Sequence, residues 1–123
     1  LLDVPAEYKD IPGRNLPLLC ELGELFAEIT FGIKRHKPRT QGSDGRLGND
    51  FIEIKTITPE NKNEKVSVKR KGNFNKLLVV KINEDFEFEA RMLDRKHMGK
   101  GSGKLAVVAW SSMRPKHSEQ NGA

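Results

Sequence analysis

Ser43-Asp44-Gly45-Arg46-Leu47-Gly48-Asn49-Asp50-Phe51-Ile52-Glu53-Ile54-Lys55 is the stretch on which the fold depends. A Gly-Asn pair between two short runs predicts a two-residue type II′ turn, with glycine at the first central position because φ must be positive there. A loop of that length sets the register: Leu47 opposite Asp50, Arg46 opposite Phe51, Gly45 opposite Ile52 and Asp44 opposite Glu53. Directly opposed residues share one face of a hairpin, with Cβ atoms roughly 4.5–5.5 Å apart. Two carboxylates placed in that way repel unless a cation stands between them, and a divalent metal ion meets that need. Lys55 lies two residues further along the same face.

The second strand of this hairpin reads as internal. Phe51, Glu53, Lys55 and Ile57 alternate with Ile52, Ile54 and Thr56, so both faces carry apolar residues. Charged side chains on an internal strand carry a desolvation cost unless they are paired or hold a ligand, which argues for a site at Asp44, Glu53 and Lys55 over a solvated hairpin face.

Upstream, Asn15 is placed to cap a helix and Pro17 to occupy its first turn. From Leu16 to about Phe31, the residues Leu18, Leu22, Leu25, Phe26 and Ile29 recur at helical spacing and predict one apolar stripe on a core helix. Gly32 is the expected stop, and Lys34, Arg35, His36 and Lys37 follow where cations suit the helix dipole. Of the acids on this helix, Glu21 falls at the edge of the stripe and is expected to point toward a sheet, while Glu24 and Glu28 are expected to face solvent. Downstream, Lys65 to Arg70 alternates as a half-buried strand, Leu77 to Ile82 reads as a buried strand and Phe86 to Leu93 as another, with Phe86, Phe88 and Ala90 on one side. Ala106 to Trp110 is a final short strand. Residues 1–15 read as an extended lead-in, 16–113 as a single domain and 114–123 as a mobile tail.

Composition narrows the function classes. The 123 residues suffice for one domain, and 36% hydrophobic with 32% charged residues is polar but still globular. No apolar stretch approaches the roughly 20 residues that span a bilayer, and no signal peptide opens the chain, so a cytoplasmic protein with no membrane partner is expected. The single cysteine, Cys20, excludes an internal disulfide and is expected to be a packing residue. A net charge of +5 favours a polyanionic partner, with basic residues clustered at Lys34–Arg39 and Lys69–Lys71. The run Gly99-Lys100-Gly101-Ser102-Gly103-Lys104 is no nucleotide loop: it lacks the preceding strand, the glycine spacing and the Ser or Thr after the lysine. His36, His97 and His117 show no metal-ligand spacing.

A helix followed by a hairpin bearing Ser43-Asp44 and then Glu53-Ile54-Lys55 resembles the PD-(D/E)XK nuclease superfamily, over roughly Leu16 to Ile82. Ser43 stands where the family motif has Pro, and Glu21 is similar to the acid that many members carry on their first helix. The resemblance implies an α/β (α+β) restriction-endonuclease-like fold, with a central mixed sheet and an N-terminal core helix packed on it. Residues 59–76 leave little room for the family's second helix. It implies metal-dependent hydrolysis of DNA phosphodiester bonds: Asp44 and Glu53 holding Mg²⁺ (or Mn²⁺) with the Ile54 backbone carbonyl, Glu21 completing a second metal position, and Lys55 orienting water or offsetting charge on the phosphate. Arg39, Arg46, Lys69 and Arg70 would contact the DNA backbone. Many duplex-cutting members resemble one another in working as dimers, which adds a homodimer to the expectations. The alternative from another class is a catalytically inactive module that keeps the fold and binds nucleic acid.

Overall fold

The computed structural model of the chain describes residues 16–36, 43–98 and 103–115. The expected lead-in, Arg39, Lys37, residues 99–102 of the glycine-rich run and residues 116–123 lie outside the described residues. Elements follow in the order α1 (Leu16–Phe31), β1 (Lys34–Arg35), β2 (Gly45–Leu47), β3 (Asp50–Ile57), β4 (Lys65–Lys69), β5 (Lys76–Ile82), β6 (Phe88–Asp94), β7 (Leu105–Ala109) and β8 (Arg114–Pro115). Six strands form one sheet in the order β1-β2-β3-β5-β6-β8, in which β3 and β5 run parallel and all other neighbours antiparallel. Strands β4 and β7 pair separately as an antiparallel ribbon. The architecture is therefore mixed α/β: one helix, among the described residues, over a mixed sheet.

The central position of β5 follows from its sequence. Leu77, Leu78, Val79 and Val80 are a continuous apolar run and all are fully buried, because both faces of the sheet are covered. Leu78 and Val80 join Ala27, Ile33, Ile52, Ile54 and Ala90 in a core beneath α1. Leu77 and Val79 join Ile57, Val66, Val68, Phe74, Val108 and Trp110 beneath the ribbon. Parallel neighbours cannot be linked by a hairpin, so the chain must cross over, usually on a helix. Here residues 58–75 make the crossover on β4, so the layer opposite α1 is a ribbon. Arg95 secures the end of that crossover: its guanidinium donates to the carbonyls of Arg70, Gly72 and Phe74 and lies 4.6 Å from the Phe74 ring centroid.

Three expectations are corrected here. The buried line of α1 is Leu19, Gly23 and Ala27, one turn apart, and Ile29 of the expected stripe is 63% exposed. A Cβ at Gly23 would stand 2.3 Å from Thr56 Oγ1, so the helix backbone presses directly on the sheet there, and Leu18, Leu22 and Leu25 are only partly buried on its flanks. Phe86 is no strand residue; it has φ +57 in the β5–β6 turn, and β6 begins at Phe88. Residues Arg114–Pro115, expected in the mobile tail, add β8 to the sheet edge beside β6. The helix stop is as expected, with Gly32 at φ +73 donating its N–H to the Glu28 carbonyl at 3.0 Å.

Candidate active site

The hairpin register is the expected one: Leu47 faces Asp50, Arg46 faces Phe51 and Gly45 faces Ile52. Gly48 has φ +62 and Asn49 does not share that region, as a type II′ turn requires. Strand β2 begins at Gly45, so beyond Ile52 strand β3 has a ladder partner only on its β5 side. The buried Ile54 N–H would then be an unsatisfied donor, at a cost of about 1–3 kcal/mol. Asp44 fills the gap with its side chain, Oδ2 accepting from Ile54 N–H at 2.8 Å. Its own backbone is held on both sides, its N–H donating to the Ile52 carbonyl and its carbonyl accepting from His36 N–H, each at 2.9 Å. The carboxylate is thereby fixed at the edge of β3 by main-chain geometry.

Glu53 stands beside it and is 20% exposed at the side chain. Burial is the first reason that its carboxyl is pushed up from 4.5 to about 7. The neighbouring Asp44 charge and a hydrogen bond with Asp44 act in the same direction, as does Glu24, while Lys55 opposes them. The Lys55 ammonium lies 3.8 Å from Glu53 Oε2 and is one-third exposed. Asp44, Glu53 and Lys55, the three residues predicted to act together, line one cavity of about 260 Å³ with Cys20, Glu24, Ile54 and Thr56.

The helical acid in this cavity is Glu24; Glu21 is exposed on the helix surface. Glu24 follows directly on the contact residue Gly23, so the close approach of α1 carries its side chain to the sheet edge. Arg35 Nη2 binds it at 2.9 Å. Burial raises the Glu24 carboxyl, Arg35 opposes, and Asp44 and Glu21 add to the rise. Cys20, one turn before Glu24, is also drawn in as a half-buried wall; burial and then Glu24 push its thiol up, against Lys55. The sequence signal for both was the Gly23/Ala27 pair at i, i+4, which marks a close helix contact more directly than the leucines do.

Among the described residues no three His, Cys, Asp or Glu side chains come together as a metal-binding group. The carboxylates lining the cavity are those of Asp44, Glu53 and Glu24, the last held by Arg35. That set fits a hard cation such as Mg²⁺, which binds through one or two carboxylates and retains several waters. Of the residues expected to contact nucleic acid, Arg46 is exposed on β2, Lys69 is exposed on the ribbon and Arg70 is half-buried just beyond it; none lines this cavity. A larger cavity of about 350 Å³ lies at the far ends of β3 and β5. Both of its lysines are already paired, Lys81 with Glu64 at 2.5 Å and Lys62 with Glu84 at 3.0 Å. Neither a family model nor a curated protein matches this sequence.

Proposed function

We propose that the chain is a small PD-(D/E)XK-type endonuclease with a restriction-endonuclease-like fold, hydrolysing phosphodiester bonds of DNA with Mg²⁺ or Mn²⁺. The observation that carries this reading is that Asp44, fixed on the Ile54 N–H, lines one cavity with Glu53 and Lys55, whose ammonium lies 3.8 Å from Glu53. Diester hydrolysis needs charge neutralised on the phosphate and a water deprotonated near neutral pH; a bound divalent cation supplies both. Asp44 and Glu53 would hold that cation with the Ile54 carbonyl. Lys55 projects a donor into the same space, where it can orient the attacking water or offset charge building on a non-bridging oxygen as the phosphorus–oxygen bond to the leaving strand breaks. Glu24, in the position proposed for Glu21, is engaged with Arg35 and would join only if that pair opened. The sequence's net charge of +5 suits the polyanion, and a homodimer remains part of the proposal for duplex cutting.

The second reading, an inactive nuclease-fold module that binds nucleic acid, is favoured by one observation: Glu24, the helical acid that lines the cavity, is tied up by Arg35. Calorimetric titration with Mg²⁺ and a plasmid-nicking assay separate the two. The endonuclease binds Mg²⁺, loses it in Asp44→Ala, and nicks DNA with wild-type Lys55 but not in Lys55→Ala, which still binds DNA. No Mg²⁺ uptake by the wild type, or full nicking by Lys55→Ala, would refute it.

A further inference from the structure

We propose that Phe51 is a stacking platform for a nucleobase, so that the preferred substrate is single-stranded nucleic acid or carries an unpaired nucleotide beside the bond to be cut. The inference rests on the function proposed for Asp44, Glu53 and Lys55, and it adds the class of substrate. Register places Lys34 opposite Arg46 and Arg46 opposite Phe51, so one row across β1, β2 and β3 presents two cations and an aromatic ring on a single face. The other face of the same strands is closed, with Ile33, Gly45 and Ile52 buried toward α1. Phe51 is 36% exposed in a strand whose next residue is fully buried.

The ring is flanked by polar π and cationic groups. The Arg46 guanidinium lies 5.9 Å from its centroid and the His36 ring 6.1 Å away at 64°. The carboxylate nearest in sequence, Asp50, is occupied by Asn75 at 2.5 Å and Lys76 at 3.3 Å, so it does not compete for these cations. An apolar ring between cations suits a base with its phosphates better than an apolar protein surface or a bilayer. The next residue on this face of β3 is Glu53, about 7 Å along the strand at the rise of an extended chain. A base on Phe51 therefore sets its own backbone beside the carboxylate pair. Within a duplex both faces of each internal base are stacked on neighbours, so away from duplex ends only an unpaired base can use the ring.

The test measures binding of a fluorescently labelled single strand and of a covalently closed, relaxed circular duplex without ends, in EDTA, to the wild type and to Phe51→Ala, Phe51→Leu and Phe51→Trp, each checked for an intact thermal transition. Loss of one stacked base weakens single-strand binding by about 5- to 30-fold in Phe51→Ala and Phe51→Leu, with less than about twofold change on duplex. Phe51→Trp keeps single-strand affinity, and its indole emission is quenched by the single strand beyond the change seen for Trp110 in the wild type. Equal effects on both substrates, unchanged binding by Phe51→Ala, or an unquenched Phe51→Trp would overturn the platform. A wild type that fails to cut with Mg²⁺ or Mn²⁺ while Phe51→Ala and Phe51→Leu lose single-strand binding defeats the catalytic reading alone. A wild type that cuts while Phe51→Ala binds single strands normally defeats the platform alone.

Discussion

Replacing Glu53 with Gln removes a carboxyl that the fold holds against its own ionisation. In the unfolded chain this group ionises near 4.5, and in the folded protein near 7. Between those values the folded state binds more protons than the unfolded state, so the stability of the wild type falls as pH rises from about 4.5 to 7. The displacement corresponds to at most ~3 kcal/mol, and residual solvent access at the side chain brings the working expectation to about 2 kcal/mol. Gln fills the same space and has no proton to lose in this window. Its stability relative to the wild type should therefore grow from near zero at pH 4.5 to about 2 kcal/mol at pH 7.5, which is on the order of 5–10 °C in Tm for a domain of this size. Glu24 is raised in the same direction, but it titrates in both proteins and largely cancels in the difference. Urea denaturation of both proteins without divalent ions, at half-unit steps from pH 4.5 to 8, measures the effect. A difference that is flat with pH, or that favours the wild type at pH 7.5, would show that Glu53 is not buried against Asp44 as described.

Other expectations concern the same cavity and its supports. Mg²⁺ affinity measured by calorimetry should strengthen with pH up to about 7, by about tenfold per pH unit at the steepest, because Glu53 must give up its proton to ligate; the proton count from buffers of different ionisation enthalpy should approach one below that pH. Asp44→Asn keeps an oxygen that can accept from Ile54 N–H but removes the charge facing Glu53. Carboxyl-carbon NMR should then find Glu53 titrating below about 7 but still raised by burial, with Mg²⁺ binding lost and stability within ~1 kcal/mol of wild type. Gly23→Ala raises helix propensity yet sets a methyl 2.3 Å from Thr56 Oγ1, for a net loss of about 1–3 kcal/mol in denaturant unfolding; Thr56→Ser, which removes Cγ2 at 3.1 Å, should recover part of it. Leu78→Ala, at a fully buried position between helix and sheet, should cost about 2–5 kcal/mol by the same measurement.

Local readings carried far in this protein where the deciding interactions were themselves local. The Gly48-Asn49 turn, the pairing of Arg46 with Phe51 and the alternation along β3 depend on residues within a few positions of one another, and the structure has them as read. The apolar run at Leu77 to Val80 announced a strand covered on both faces, since nothing polar in it could meet water. The face of α1 could not be read in the same way. A hydrophobic stripe reports which residues favour burial, whereas the contact line was set by how closely two backbones could approach, and that belongs to Gly23 meeting Thr56, thirty-three positions away.

The candidate site divides along the same line. Sequence by itself determined that Asp44, Glu53 and Lys55 would share one stretch of hairpin, because a two-residue turn and the period of an extended strand leave no other register. Tertiary structure alone decided that Asp44 would cap the Ile54 N–H, that Glu24 and Cys20 would close the cavity in place of Glu21, and that Phe51 would stay uncovered next to it. Each of those outcomes depends on where one element stops and another begins to pack: β2 starting at Gly45, α1 rolling onto its glycine, and the ribbon covering only the Ile57 end of β3. Pairing along a strand is short-range and periodic, while layer packing is set by the volumes of residues distant in the chain, and only the first of these is written in a local pattern.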